Sequence, residues 1–139
     1  DDVVLDIGCG FNLFKQKLGH RLWGIDPANK NADEMISWQN YIPHTDFNVY
    51  LALGSINFGD YQNVEFQVAK LAHHCKPGDR VYWRQNPGTA DHPWKGVEEV
   101  RFFPWTRKHN RDFCKKYSFT LAEIKQDTGD RLYAQWIKN

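Results

Sequence analysis

Gly8 and Gly10 follow an apolar run, Val3-Val4-Leu5-Asp6-Ile7, and a carboxylate, Asp26, closes the next one, Trp23-Gly24-Ile25. Glycines let a backbone approach a ligand closely, and an acid at a neighbouring strand tip can accept from both hydroxyls of a ribose. The chemistry this spacing supports is the grip of a nucleoside-bearing cofactor laid across the top of a parallel sheet. Each residue also has a plainer reading. Gly8 and Gly10 can serve turn geometry alone, Asp6 can brace the turn through backbone N–H groups, and Asp26 beside Pro27 can be a turn carboxylate. The order of strand, glycine turn, strand and acid favours the ligand.

The elements that must position these residues alternate between strand and helix patterns, which predicts an α/β domain with a mainly parallel sheet. Strands are expected at 3–7, 21–26, 47–53 and 80–83. The continuous apolar run Phe47-Asn48-Val49-Tyr50-Leu51-Ala52-Leu53 suits a central strand buried on both faces. Helices are expected at 11–18, closed by Gly19, at 61–75, with Val64, Val68, Leu71 and Ala72 inward, and at 107–117. The last has Thr106 as N-cap and Phe113 and Tyr117 inward. Between 28 and 43 the pattern is ambiguous: Met35 to Gln39 fits a short edge strand, Asp33 to Tyr41 a helix. Residues 84–105 read as a long loop, and 119–125 with 131–137 as an antiparallel hairpin.

With these residues and this order, the chain resembles a class I S-adenosylmethionine-dependent methyltransferase over nearly its whole length. Val4-Leu5-Asp6-Ile7-Gly8-Cys9-Gly10 is similar to the family's first motif, the glycine loop beside the methionine part of the cofactor. Gly24-Ile25-Asp26 resembles the second motif, whose acid takes the ribose hydroxyls. Phe47 to Ile56 resembles the fourth strand and its loop, and Lys76-Pro77-Gly78-Asp79-Arg80 the turn before the fifth. The resemblance implies a doubly wound sheet with helices on both faces and a C-terminal antiparallel hairpin, forming one domain over 1–139. It implies S-adenosylmethionine held by Asp6, Gly8, Cys9, Gly10, Asp26, Pro27, Asn40, Leu53, Gly54 and Ser55. The sequence departs from the pattern in places. Asn12 stands where a third glycine is common, the third-strand region is compressed into 28–43, and Asn48 replaces a common aspartate. If Trp38-Gln39-Asn40 is the remnant of the third strand, Asn40 replaces an acid that contacts the adenine amino group.

Methyl transfer from a sulfonium is an in-line displacement in which the protein mostly positions two reactants. A base is needed only if the acceptor must lose a proton. Ligands of open α/β sheets bind beyond the strands' carboxyl ends. Candidates to face the methyl group therefore follow the fourth and fifth strands: Ser55, Asn57 and Phe58, then Arg84, Gln85 and Asn86. Asn57 and Arg84 are the expected acceptor-orienting pair, with Phe58 or Trp94 excluding water and His92 on the same long loop. Other features read more plainly. Neighbouring His73, His74 and Cys75 diverge on a helix and cannot share one ion, so no metal is expected. Cys9 reads as a small filler and Asn86-Pro87-Gly88 as a turn. Arg101, Arg107, Lys108 and Arg111 read as a solvated helix face.

The chain of 139 residues has 18 basic and 17 acidic side chains, a balance that carries no footprint for nucleic acid or an anionic membrane. Three cysteines without a framework spacing point to free thiols and a reducing compartment. No apolar stretch approaches the roughly 20 residues of a spanning helix, and no signal-peptide pattern is seen, so a cytoplasmic location is expected. Residue 1 directly precedes the first strand, which leaves open an upstream helix or cap. The expected partner is a small-molecule acceptor; oligomeric state is left open, including a partner chain on the compressed edge. Two competing functions remain at this point: a non-catalytic cofactor-binding or regulatory module on the same fold, and a nicotinamide-dependent oxidoreductase, against which the terminal hairpin argues.

Overall fold

The structure is a computed structural model that describes residues 1–87 and 102–139. Its strands are β1 (Val4–Ile7), β2 (Leu22–Ile25), β3 (Val49–Leu53), β4 (Arg80–Gln85), β5 (Phe119–Gln126) and β6 (Leu132–Lys138). They form one six-stranded sheet in the order β2-β1-β3-β4-β6-β5. The first four strands are parallel, and β6 runs antiparallel to both β4 and β5. The helices are α1 (Lys15–Leu18), α2 (Tyr61–His74) and α3 (Arg107–Lys116).

Alternation along the strands sorts side chains onto two faces. One face carries Leu5, Ile7, Tyr50, Ala52, Val81, Trp83 and Trp136, which meet Val64, Val68 and Leu71 of α2 and Phe113 and Cys114 of α3 in one cluster. The other carries Val4, Leu22 and Val49, against which Leu18 at the end of α1 packs. Three indoles pack together within the large cluster: Trp83 lies 5.1 Å from Trp105 and 4.6 Å from Trp136, centroid to centroid. Trp105 donates to the Ile56 carbonyl at 2.8 Å, which ties the loop after β3 to the segment leading into α3. Asp60 and Thr106 cap α2 and α3 through the N–H groups of Asn63 and His109, and His109 completes a capping box.

Several boundaries differ from the sequence reading. The expected helix over 11–18 is reduced to Lys15–Leu18 followed by a 3₁₀ turn at Gly19–Arg21, because Asn12 takes a left-handed conformation (φ 61°) inside a run of turns. Asn is among the few side chains that accept this region, so it does the work of the absent third glycine. Arg84 and Gln85 belong to β4, not to the long loop, since they pair with Tyr133 and Leu132.

Neither expectation for 28–43 holds: Met35 to Gln39 is not a strand and Asp33 to Tyr41 is not a helix. A single parallel bridge, Ile25 to Glu34, is what remains beside β2. Side chains complete the pairing that a third strand would have given. The Asp33 carboxylate accepts from the Gly24 N–H at 2.8 Å, and Lys15 Nζ donates to the Leu22 carbonyl at 2.6 Å. Lys15 and Asp33 also pair with each other at 3.0 Å. Burial pushes the Asp33 carboxyl up, but the Gly24 N–H, Lys15 and the Asn12 amide together hold it below its ordinary value. Further along, Trp38 is buried with its Nε1 donating to the Gln67 carbonyl, and Lys70 reaches the carbonyls of both Trp38 and Tyr41. The compressed segment is thus pinned to α2 without a strand of its own.

An open strand edge is a template for pairing with another chain. Asp33→Ala should therefore lower stability by about 1–3 kcal/mol, the cost of leaving a buried N–H unpaired. It should also make the apparent molecular mass in sedimentation rise more steeply with concentration than that of the parent chain. A variant that sedimented and melted like the parent would show that Asp33 does not guard the edge.

Candidate functional site

The bend after β1 is shaped by two glycines in the left-handed region, Gly8 at φ 70° and Gly10 at φ 56°. At Gly8 a Cβ would stand 2.3 Å from the Ser55 Cβ, so only a bare backbone lets the loop after β3 close against the bend. Around Gly10 the space is open. Gly8 and Cys9 donate to the Ile25 carbonyl, and the Gly10 N–H donates to Asp26 Oδ2 at 3.0 Å. Asp26 Oδ1 accepts from the N–H groups of Ala28 and Asn29 at 2.9 and 3.0 Å. Three donors fill three of the roughly four acceptor positions of a carboxylate. The acid therefore shapes the bend and its own turn, and Oδ2 keeps capacity for one more donor.

Two adjoining cavities lie at the carboxyl ends of β1, β2, β3 and β4. The larger, about 380 Å³, is lined by Gly8, Asp26, Pro27, Leu53, Gly54, Ser55, Phe58, Arg84, Asn86 and Phe102. The smaller, about 210 Å³, is lined by Ile7, Gly8, Pro27, Ile36, Ser37, Trp38, Gln39, Ser55, Phe58, Asn63 and Gln67. Gly8, Pro27, Ser55 and Phe58 belong to both, so the two open into each other at the glycine bend. The Ser55 hydroxyl is buried here without a hydrogen-bond partner. Buried polar atoms are normally satisfied, and this one lies against Gly8 at the wall that the two cavities share.

Asp6 lies beneath the bend, only 3 % exposed. Burial and then the neighbouring charge of Asp26 push its carboxyl up to about 6. Its carboxylate accepts no hydrogen bond from the described residues, so the expected brace through backbone N–H groups is not what it does. Burial, followed by Asp6, Asp26 and Asp33, pushes the Cys9 thiol up to about 12, which makes it the small filler expected and no nucleophile.

The expected residues divide. Gly8, Asp26, Pro27, Leu53, Gly54, Ser55 and Arg84 line the cavities; Gly10, Cys9 and Asp6 form the bend and its floor. Asn57 does not face the site. It is fully buried, its amide donates to the carbonyls of Asn86 and Phe103, and its oxygen accepts from the Asn86 N–H at 2.7 Å. It clasps the loops after β3 and β4 together and has no donor left for an acceptor. Asn40 sits on an exposed turn with its amide on Ser37 Oγ, outside the cavity lining. Ser37 and Gln39 line the wall in its place, because the third-strand remnant is at Glu34 and not at 38–40. Gln85 is buried against Asn110, away from the cleft. His92 and Trp94, with Gly88 and Arg101, lie outside the described residues.

Residues the sequence reading missed are Ile36, Ser37, Gln39, Asn63, Gln67 and Phe102. One signal was available: Asn63 and Gln67 share a helical face one turn apart, each directly before an inward valine, Val64 or Val68. Among the described residues no group of three metal-ligating side chains occurs, and Cys9, Cys75 and Cys114 are free. Arg107, Lys108 and Arg111 are exposed, and Lys108 pairs with Asp112 one turn on, as a solvated face does. No described helix is long and apolar enough to cross a membrane.

No family profile matches the sequence, and no curated protein is similar enough in sequence to match. Solved structures do match. A putative S-adenosylmethionine-dependent methyltransferase from Listeria monocytogenes superposes with a TM-score of 0.77 at 13% identity, over 99% of this chain and 91% of that one. The Burkholderia thailandensis 1,6-didemethyltoxoflavin-N1-methyltransferase, solved with 1,6-didemethyltoxoflavin and S-adenosylhomocysteine, gives 0.76 at 14% identity over 99% and 71%. A Haloferax volcanii complex of the Trm112 methyltransferase activator and a putative methyltransferase gives 0.75 at 14% identity over 98% and 81%. A six-stranded sheet with a parallel core and an antiparallel terminal pair, matched over nearly the full chain by such proteins, is the fold of the class I S-adenosylmethionine-dependent methyltransferases.

Proposed function

We propose that the chain binds S-adenosylmethionine in the paired cavities and transfers its methyl group to a small-molecule acceptor. The observation that carries this reading is the bare glycine bend facing Asp26, with the unpartnered Ser55 hydroxyl beside it. Asp26 Oδ2 accepts from a ribose hydroxyl. Ile36 and Ser37, with Gln39, offer an apolar and polar wall for the base in the smaller cavity. Gly8 and Gly10 allow the rest of the cofactor to pass close to the backbone. The bound cofactor supplies an already activated methyl group. The chain's own task is then to hold the acceptor in line and keep water out.

The acids fit a cationic ligand. Asp6 and Asp26 lie close enough for the charge of one to raise the carboxyl of the other. A sulfonium and an ammonium relieve that repulsion, whereas the anionic pyrophosphate of a dinucleotide aggravates it. Phe58, at the junction of the cavities, lies 5.2 Å from Phe102 and forms an apolar wall on the acceptor side.

Asp26→Ala should weaken binding of S-adenosylmethionine and S-adenosylhomocysteine by about 1–3 kcal/mol, because a ribose donor and the Gly10 N–H both lose their acceptor. Calorimetry on parent and variant reads this directly, with a nicotinamide dinucleotide as competitor. Equal affinity in both proteins, or preference for the dinucleotide, would remove the reading.

A further inference from the structure

We infer that the methyl acceptor carries an oxyanion, a carboxylate or phosphate ester, that is bound by Arg84; this rests on the methyltransferase reading of the same cleft. Arg84 lies near the end of β4, and its guanidinium lines the larger cavity. Its Nη2 donates to the Leu53 carbonyl at 3.0 Å, which fixes the group and leaves most of its N–H donors unused. Nothing at position 54 screens it. Gly54 has φ 92°, and a Cβ there would stand 3.1 Å from Arg84 Nη2.

Counter-charge is what this cation lacks. Lys15, Arg80 and Lys116 each have an acid within ion-pairing distance, and the half-buried Lys70, which has none among the described residues, is held by the carbonyls of Trp38 and Tyr41. Arg84, half-buried in a cleft, has none among the described residues. Taking a guanidinium partly out of water without an anion is unfavourable, and a planar oxyanion is what its fork fits best. Asp26 lines the same cavity, so the cleft carries opposite charges: an acid for the nucleoside and a cation for the acceptor. Phe58 and Phe102 line the same cavity and offer an apolar wall, which suits an acceptor with an apolar or aromatic body.

The guanidinium could instead hold the carboxylate of the cofactor's own amino-acid part, and the test separates the two. Protein saturated with S-adenosylhomocysteine is titrated with benzoate and phenyl phosphate, and with their neutral counterparts benzamide and phenol. The expected result is binding of the anions over the neutral probes, at least tenfold weaker anion binding in Arg84→Gln, and partial retention in Arg84→Lys. Whichever anion binds more tightly identifies the oxyanion class. S-adenosylhomocysteine and 5′-methylthioadenosine, which lacks the amino-acid part, should bind parent and Arg84→Gln alike. The inference is overturned if the anions show no preference over neutral probes, if Arg84→Gln binds them equally well, or if the variant loses S-adenosylhomocysteine but keeps 5′-methylthioadenosine. Failure of the parent to bind S-adenosylhomocysteine at all would instead defeat the methyltransferase reading.

Discussion

Gly8→Ala should destabilise the chain by roughly 2–5 kcal/mol and abolish nucleoside binding. Two effects add. A non-glycine residue at φ 70° carries a left-handed penalty of about 1–2 kcal/mol. The new methyl would also lie 2.3 Å from the Ser55 Cβ, and forcing extra volume into a packed contact costs about 1–3 kcal/mol. Relief requires the β3 loop to move away from the bend, which opens the junction of the two cavities. Gly10→Ala is the matched control. It has a similar φ of 56° but open space around it, so it should show the backbone penalty alone. Urea unfolding of both variants measures the difference. Equal losses would mean that contact with Ser55 does not matter.

The second large effect concerns Asp6. Its carboxyl titrates near 6 in the folded chain against an ordinary 3.8, because burial and Asp26 disfavour its charge. The folded state therefore holds the proton more tightly than the unfolded state. Below about pH 4 both states are protonated and the group costs nothing. Between about pH 4 and 6 stability falls as pH rises, and above that the full cost is present. At about 1.4 kcal/mol per unit, the cost approaches 3 kcal/mol. Asp6→Asn cannot ionise, so its stability relative to the parent should improve by about 2–3 kcal/mol between pH 4 and pH 8. Its affinity for the cationic S-adenosylmethionine should fall more than its affinity for neutral-sulfur S-adenosylhomocysteine. A pH-independent difference in stability would show that Asp6 is not charged at the expense of the fold.

The parts of this site that the sequence made legible are those set by local chemistry. Gly8, Gly10 and Asp26 lie at strand ends marked by apolar runs, and nothing distant is needed to put them there. Thr106 and the hairpin were legible for the same reason. What could not be read depends on contacts across the chain. Asn57 looked like a free polar group after a strand, but two loops converge on it and use its whole amide. Asn40 belongs to the site only if the compressed segment keeps a strand at 38–40. The edge is instead completed by side chains, Lys15 and Asp33, which no periodicity reveals. Arg84 reads as a loop residue in the sequence because the partners that make it a strand residue, on β6, are far away along the chain.

The most direct measurement is a crystal structure of the chain with S-adenosylhomocysteine. It should show a ribose hydroxyl on the Asp26 carboxylate, the adenine against Ile36 and Ser37 in the smaller cavity, and the sulfur side over the glycine bend toward Arg84. Ligand bound elsewhere, or crystals grown with millimolar ligand whose cleft holds only water, would contradict the account.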